Sequence, residues 1–170
     1  MQAAIEPDIL VLGKGLSSGH APIATTMLTE DVAMKLERSA NTSTFGWNPI
    51  AASAALATVK VFRRKTLWER SAMSGEYFMR LLDQLLDCGA VGEIRGRGLF
   101  IGIELVKNKR TKEPDPKLAD RIMKRCLKNG VYLGVGGPHS NTLILAPPLI
   151  ITREEMKEGA LQIAEAITNG

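Results

Sequence analysis

Lys14 is the residue of this sequence with the clearest potential for chemistry. It directly follows the apolar run 7–13, which predicts a buried strand, and it stands between Gly13 and Gly15. A lysine at the end of a strand emerges where α/β sheets bind ligands, and flanking glycines let a ligand come close. Its amine can serve as a nucleophile toward a carbonyl group. The local pattern alone also fits an exposed loop lysine.

The composition argues against several other kinds of site. The 170 residues contain no apolar stretch of about 20 residues, which predicts no membrane span, and the first residues do not resemble a secretory signal. Cys88 and Cys126 lack CxxC spacing, and His20 and His139 lie far from both. We therefore predict no metal site and free thiols in a reducing cytoplasm.

A basic segment between Lys107 and Lys128 raises the question of nucleic-acid binding. The formal net charge of the chain is only +4, but this segment holds nine basic residues and three acids. Phosphate contacts are made mostly by such side chains. No aromatic residue lies among the charges, however, and they fall on the polar side of a predicted helix. The sequence therefore favours a solvated helix face and predicts no nucleic-acid partner.

The hydrophobic periodicity predicts strands and helices in a mixed order. In chain order, we expect strands over 7–13 and 22–28, helices over 50–64 and 66–87, strands over 91–94 and 99–106, a helix over 116–129, strands over 131–133 and 142–145, and a last helix from 152. The predicted domains are 1–48 with two strands, 49–88 with two connecting helices, and 89–170 as a small α+β domain. Because a two-stranded sheet is marginal alone, the first region is expected to belong to a larger body.

Four motifs in sequence order resemble one enzyme family. They read EPDILVLGKGLSSG over 6–19, TSTFGWNP over 42–49, IRGRGLFIGIE over 94–104 and LAPPLIIT over 145–152. Together they resemble class III pyridoxal-phosphate-dependent aminotransferases of fold type I, collinearly over essentially the whole chain. The resemblance implies an α/β fold, the end of a fold type I large domain, followed by a small α+β domain.

The resemblance also implies roles for three residues. Lys14 falls on the lysine that condenses with the aldehyde of pyridoxal 5′-phosphate and later moves a proton, so it is both catalytic and cofactor-binding. Thr44 falls on the threonine that hydrogen-bonds the cofactor phosphate of a neighbouring subunit, and Ser43 lies beside it. From the residues alone, Ser43 and Thr44 could equally serve only to cap the following helix.

The implied reaction moves an amino group from an amine or amino acid to a keto acid. The implied partners are those small molecules and a second copy of the chain, a higher oligomer or a missing N-terminal half. The family's phosphate loop, stacking aromatic and ring-pairing aspartate should lie upstream of Lys14, so the isolated chain is expected to be inactive. A non-catalytic assembly or dimerisation module derived from such an enzyme is the alternative interpretation.

Overall fold

The computed structural model describes residues 5–36 and 43–168, in two compact units that comprise residues 1–65 and 66–170. The boundary between the units falls between the two long connecting helices. The predicted domain bounds of 1–48, 49–88 and 89–170 stay predictions. Among the residues of the four motifs, Thr42 lies outside the described ranges.

The first unit begins with an antiparallel pair of strands, β1 (Ile9–Leu12) and β2 (Thr25–Leu28). Both strands were predicted, and the described residues do not bury the first, since Val11 is 68% exposed. Among the described residues β1 pairs only with β2, so the outer edge of each strand has no strand partner there. A short helix that the sequence did not predict, α1 (Glu30–Ala33), follows.

The long helix of the first unit, α2 (Pro49–Arg64), confirms the predicted helix over 50–64. Pro49 stands in the first turn, where its missing N–H would have no helical partner. Ala51 and Ala55, four residues apart and therefore on one face, are the buried side chains of α2. The helix packs against the turn formed by Lys14–Ser17, and small alanine side chains permit a close approach.

The second unit is built on an antiparallel sheet of five strands. The strands are β3 (Val91–Arg97), β4 (Phe100–Asn108), β5 (Glu113–Pro114), β6 (Gly134–Gly136) and β7 (Thr142–Leu145). Their order in the sheet is β3–β4–β7–β6, and β5 pairs with the C-terminal end of β4. Inward and outward residues alternate along β4, with Ile101, Ile103 and Leu105 buried, which is typical of a sheet covered on one face.

Three helices supply the other half of this core: α3 (Leu67–Leu82), α4 (Pro116–Lys128) and α5 (Arg153–Thr168). α5 packs against both α3 and α4, and α3 and α4 contact the sheet. Leu82, Ile122, Met156 and Ile163 are almost wholly buried in the shared apolar cluster. The predicted helix over 66–87 is shorter than expected, because the chain tightens into a 3-10 turn over Asp83–Asp87.

The sequence misplaced three features of the sheet. The strand expected over 131–133 lies instead at β6, because the Val131 N–H donates to the Cys126 carbonyl at the end of α4 and extends that turn. The turn between β3 and β4 shrinks to two residues, because Arg97 pairs with Phe100. The charged loop after β4 contains β5, which pairs with β4. The sequence did not predict β5, because two residues are too few to show a strand pattern.

The turn between β3 and β4 lies directly against α3. A Cβ placed on Gly75 would stand 2.1 Å from the Gly98 carbonyl oxygen, closer than non-bonded atoms can approach. Gly98 has a φ of +54°, and a Cβ there would meet the Ser71 Oγ at 2.6 Å. The Leu99 N–H donates to the same Ser71 Oγ at 3.3 Å. Both glycines are therefore required by the contact between the helix and the turn.

A capping box precedes the last helix, as the pattern Thr152-Arg-Glu-Glu155 predicts. The Glu155 N–H donates to Thr152 Oγ1 at 3.2 Å, and the Thr152 N–H and hydroxyl donate to Glu155 Oε2 at 2.7 and 2.8 Å. These bonds hold the pKa of Glu155 below its ordinary value of 4.5. The ionised Glu155 side chain therefore stabilises the folded state above pH 4.5, and this stabilisation is lost as the pH falls through the lowered pKa.

Candidate active site

The chain leaves β1 through Gly13 and turns at once into a single 3-10 turn, Lys14–Ser17, so Lys14 stands where the strand ends. Its backbone φ is +49°, in the left-handed region that costs a side-chain-bearing residue about 1–2 kcal/mol. The Lys14 side chain is exposed, and a Cβ added at Gly15 would meet no atom within 4 Å. A strained backbone thus presents a primary amine beside open space.

Backbone and side-chain hydrogen bonds close the loop that carries Lys14. The Leu16 N–H donates to the Gly13 carbonyl at 3.1 Å, and the Ser18 N–H donates to the Gly15 carbonyl at 3.0 Å. The Ser17 hydroxyl donates to the Ala21 carbonyl at 2.5 Å and accepts from the Ala21 N–H at 3.3 Å. The lysine turn is therefore fixed at both ends.

Ser43 and Thr44 lie in the loop before α2, and both are exposed. Asn48 supplies the cap of α2, since its Oδ1 accepts the N–H groups of Ile50 at 3.0 Å and Ala51 at 3.2 Å. In the structure Asn48, and not Ser43 or Thr44, therefore fills the capping position of α2. Their hydroxyl groups project from a loop beside a helix N-terminus, the kind of position that suits an anion.

The second unit contains a cavity of about 720 Å³, and the first unit contains one of about 850 Å³. The cavity of the first unit is bounded by 22–26 on one side and by Ser43, 45–48 and the start of α2 on the other. Neither Lys14 nor Thr44 lines it. Trp47, on its wall, is fully exposed and has a φ of +61°.

The residues present fit pyridoxal phosphate. The cofactor requires an accessible primary amine, which the exposed Lys14 side chain provides. It also requires hydroxyl or N–H donors for its phosphate, and Ser43 and Thr44 present two exposed hydroxyls. Lys14 and these hydroxyls stand on different loops of the first unit, the one after β1 and the one before α2.

Sequence reasoning missed Ser17 as a structural part of the lysine turn. The run Ser17-Ser18-Gly19 indicated only a loop, and nothing in it tells which serine is buried. In the structure Ser17 is fully buried, whereas Ser18 is exposed with a φ of +53°. The signal that could have found it is the spacing of Ser17 from Ala21, which matches a side-chain bond across a turn.

The structure also describes the basic segment and the two cysteines that the sequence analysis considered. In the basic segment, Lys107 and Lys124 form exposed ion pairs with Glu113 and Asp120, and Glu113 raises the pKa of Lys107 by a hydrogen bond of 2.5 Å. Both cysteines are free, and burial raises the pKa of the Cys126 thiol.

The described residues contain no group of acidic, histidine or cysteine side chains arranged for a metal ion. None of the helices in the described ranges is long and apolar enough to cross a bilayer.

A mixed α/β fold with a lysine at a strand end is the combination found in fold type I enzymes. The family model described as "Aminotransferase class-III" matches residues 1–167. The chain therefore belongs to the class III aminotransferase family, as its motifs predicted. The α/β fold class is likewise confirmed by the structural matches.

Named relatives agree with this family. The chain is 38% identical over 161 residues to the adenosylmethionine-8-amino-7-oxononanoate aminotransferase of Methanocaldococcus jannaschii, covering 89% of this chain and 34% of that protein. The solved structure of that enzyme superposes with a TM-score of 0.87 at 36% identity, over 97% of this chain and 39% of the other. Ornithine aminotransferase of Bordetella pertussis is 34% identical, over 97% and 38% of the two chains.

One solved structure carries the cofactor. An amine transaminase from an uncultivated Pseudomonas species, in its PLP-bound form, superposes with a TM-score of 0.86 at 31% identity, covering 96% of this chain and 38% of that one. The chain thus spans between 34% and 39% of the length of these relatives.

Proposed function

We propose that this chain is the part of a pyridoxal-phosphate-dependent aminotransferase that carries the cofactor lysine, and that Lys14 is that lysine. The observation that carries the proposal is the placement of Lys14, whose exposed amine stands at the end of β1 on a left-handed residue between two glycines. The hydrogen-bonded turn from Gly13 to Ala21 fixes this placement.

Lys14 has two tasks in this proposal. Bound pyridoxal phosphate would supply an aldehyde for covalent attachment and an electron-withdrawing ring. The Lys14 Nζ would hold the cofactor. Once free, the same Nζ would move a proton at the substrate Cα, acting as base and then as acid. In the net reaction, the amino donor is converted into a carbonyl compound, and the keto acid is converted into an amino acid.

Ser43 and Thr44 would hold the cofactor phosphate. Both are exposed, and Asn48 already satisfies the first N–H groups of α2, so the two hydroxyls remain available for an anion. We place Thr44, with Ser43 beside it, on the cofactor of a neighbouring subunit, because the resemblance to the family implies that position for Thr44. The proposal therefore includes a homodimer or a higher oligomer.

Removing the Thr44 hydroxyl should weaken cofactor binding. Thr44→Val keeps the shape of the side chain and deletes one donor to a charged oxygen, so we expect the Kd for pyridoxal phosphate to rise about tenfold. Equilibrium dialysis of the native protein that contains this chain measures the change. Thr44→Ser retains the hydroxyl and should bind nearly as the wild type does. Equal affinity for Thr44→Val and the wild type would remove Thr44 from the phosphate site.

The substrates proposed are an amine or amino acid as donor and a keto acid as acceptor. The relatives include an ornithine aminotransferase and an adenosylmethionine-8-amino-7-oxononanoate aminotransferase. Because their names differ in substrate, we propose for this protein only the broad donor class. The two free cysteines fit a reducing compartment, and we propose a cytoplasmic location. We propose no nucleic-acid partner, and this is supported by the internal hydrogen bonds that four lysines of the basic segment make: Lys107, Lys109, Lys112 and Lys124.

Transfer of labelled nitrogen tests the function directly. The native protein that contains this chain is incubated with pyridoxal phosphate, pyruvate and a panel of nitrogen-labelled amines and amino acids. We expect labelled alanine to form with at least one donor, detected by mass spectrometry, and to require the added cofactor. No labelled alanine with any donor, while the protein stays folded, would contradict the proposal.

A non-catalytic assembly module is the second candidate. The observation that favours it is the exposure of large apolar side chains across the first unit: Ile9, Val11, Met27, Phe45, Trp47 and Ile50. Such a surface recruits a partner whether or not chemistry follows. This alternative predicts stable self-association without cofactor binding, whereas the aminotransferase proposal predicts self-association with cofactor binding.

A further inference from the structure

Ser17 is the most deeply buried polar side chain within the described residues, and it stands three positions after Lys14. In the described parts of the first unit, 5–36 and 43–65, the buried residues are Ser17, Ala51 and Ala55 alone. The interior of this unit is therefore the contact between the lysine turn and α2. A hydroxyl in such a place must be hydrogen-bonded, because burying it unpaired is unfavourable.

The Ser17 hydroxyl closes the loop that carries Lys14. It donates to the carbonyl of Ala21 at 2.5 Å and accepts from the N–H of the same residue at 3.3 Å. The Ser17 carbonyl accepts the His20 N–H at 3.1 Å, so both the side chain and the backbone of Ser17 bind the far end of the loop. One residue thus joins the turn after β1 to the segment that leads into β2.

This closure bears on Lys14 because the Lys14 backbone is strained. A left-handed conformation at a residue with a side chain persists only where the surroundings enforce it. Both Lys14, with a φ of +49°, and Ser18, with a φ of +53°, are in that region, one on each side of Ser17. Without the Ser17 bridge, the loop can relax toward ordinary backbone angles and carry the Lys14 amine with it.

We propose that Ser17 is the positioning residue of Lys14, holding the amine in the direction that condensation with the cofactor aldehyde requires. This inference rests on the proposed function of Lys14. Ser17 does not touch the cofactor and acts only through the turn. Reaction rates respond strongly to misplacement of a reacting group by about 1 Å, so a loosened turn should be visible in the chemistry of Lys14.

The test measures covalent labelling of Lys14 and uses three substitutions that separate the hydroxyl from its volume. Ser17→Ala removes both the hydroxyl and its space, Ser17→Cys keeps about the same volume with a weak donor, and Ser17→Thr keeps the hydroxyl and adds a methyl group. Ser53→Gly, at an exposed position of α2, lowers the stability of the same unit without touching the loop. Each variant of the native protein is incubated with pyridoxal phosphate, reduced with borohydride and digested for peptide mapping, alongside a thermal unfolding curve.

We expect Ser17→Ala and Ser17→Cys to raise the pyridoxal phosphate concentration for half-maximal labelling of Lys14 about tenfold, and Ser17→Thr to stay within about twofold of the wild type. Ser53→Gly should lower the midpoint of unfolding without changing the labelling. Rescue by Ser17→Cys but not by Ser17→Thr would overturn the inference, because packing alone would then explain the site. So would wild-type labelling in Ser17→Ala, or a loss in Ser53→Gly equal to that in Ser17→Ala. A wild-type protein that is not labelled at Lys14 would instead overturn the proposed function.

Discussion

Lys14→Ala abolishes amino transfer, with an expected fall in kcat of about 10³-fold or more. The substitution removes both the group that holds the cofactor and the base that moves the substrate proton, and no neighbouring side chain of the turn can replace it. Lys14 is exposed, so the protein should remain folded. The measurement is the rate of labelled alanine formation from a donor that the wild-type protein accepts.

Two control variants make this result specific. Lys14→Arg keeps the positive charge and most of the length but has no amine able to condense with an aldehyde, so it should be as inactive as Lys14→Ala. Lys60→Ala removes an exposed lysine from α2 in the same unit and should leave the rate unchanged. Substantial transfer by Lys14→Arg would mean that Lys14 contributes only its charge.

Gly75→Ala should destabilise the second unit by about 3 kcal/mol or more. The new Cβ would stand 2.1 Å from the carbonyl oxygen of Gly98 and 2.2 Å from its carbonyl carbon. Both are backbone atoms of the turn between β3 and β4, which cannot swing aside as a flexible side chain does. Either α3 must move away from the sheet or the turn must distort. Denaturant unfolding followed by circular dichroism measures the change.

The matched control for this variant is Gly159→Ala in α5. A Cβ there meets no atom within 4 Å, so only the helix propensity changes, and alanine should stabilise by about 0.5–1 kcal/mol. The two identical substitutions thus have opposite expected signs. Equal and small effects at Gly75 and Gly159 would show that α3 does not approach the turn as closely as the structure has it.

The sequence predicted those elements whose boundaries are marked by local chemistry. Asn48 and Pro49 mark the start of α2, and Thr152 and Glu155 mark the start of α5, because caps act over three or four residues. The β4 strand was found because its apolar residues alternate. β6 was misplaced because a glycine-rich strand has little side-chain pattern, and its pairing with β7 alone selects the residues.

The candidate site was predictable only in part, for a similar reason. The residues next to Lys14 in the chain identified the lysine. Whether a residue of its loop is buried depends instead on residues that are distant in the sequence. The sequence therefore could not reveal that Ser17, and not Ser18, is buried against α2.

The central claim is that Lys14 carries the cofactor, and covalent trapping tests it most directly. The native protein is incubated with pyridoxal phosphate, reduced with borohydride, digested, and its peptides are mapped by mass spectrometry. The account predicts a single pyridoxyl label on Lys14, absent from Lys14→Arg and retained in Lys60→Ala. A label on any other lysine, or the same labelling in Lys14→Arg, would contradict it.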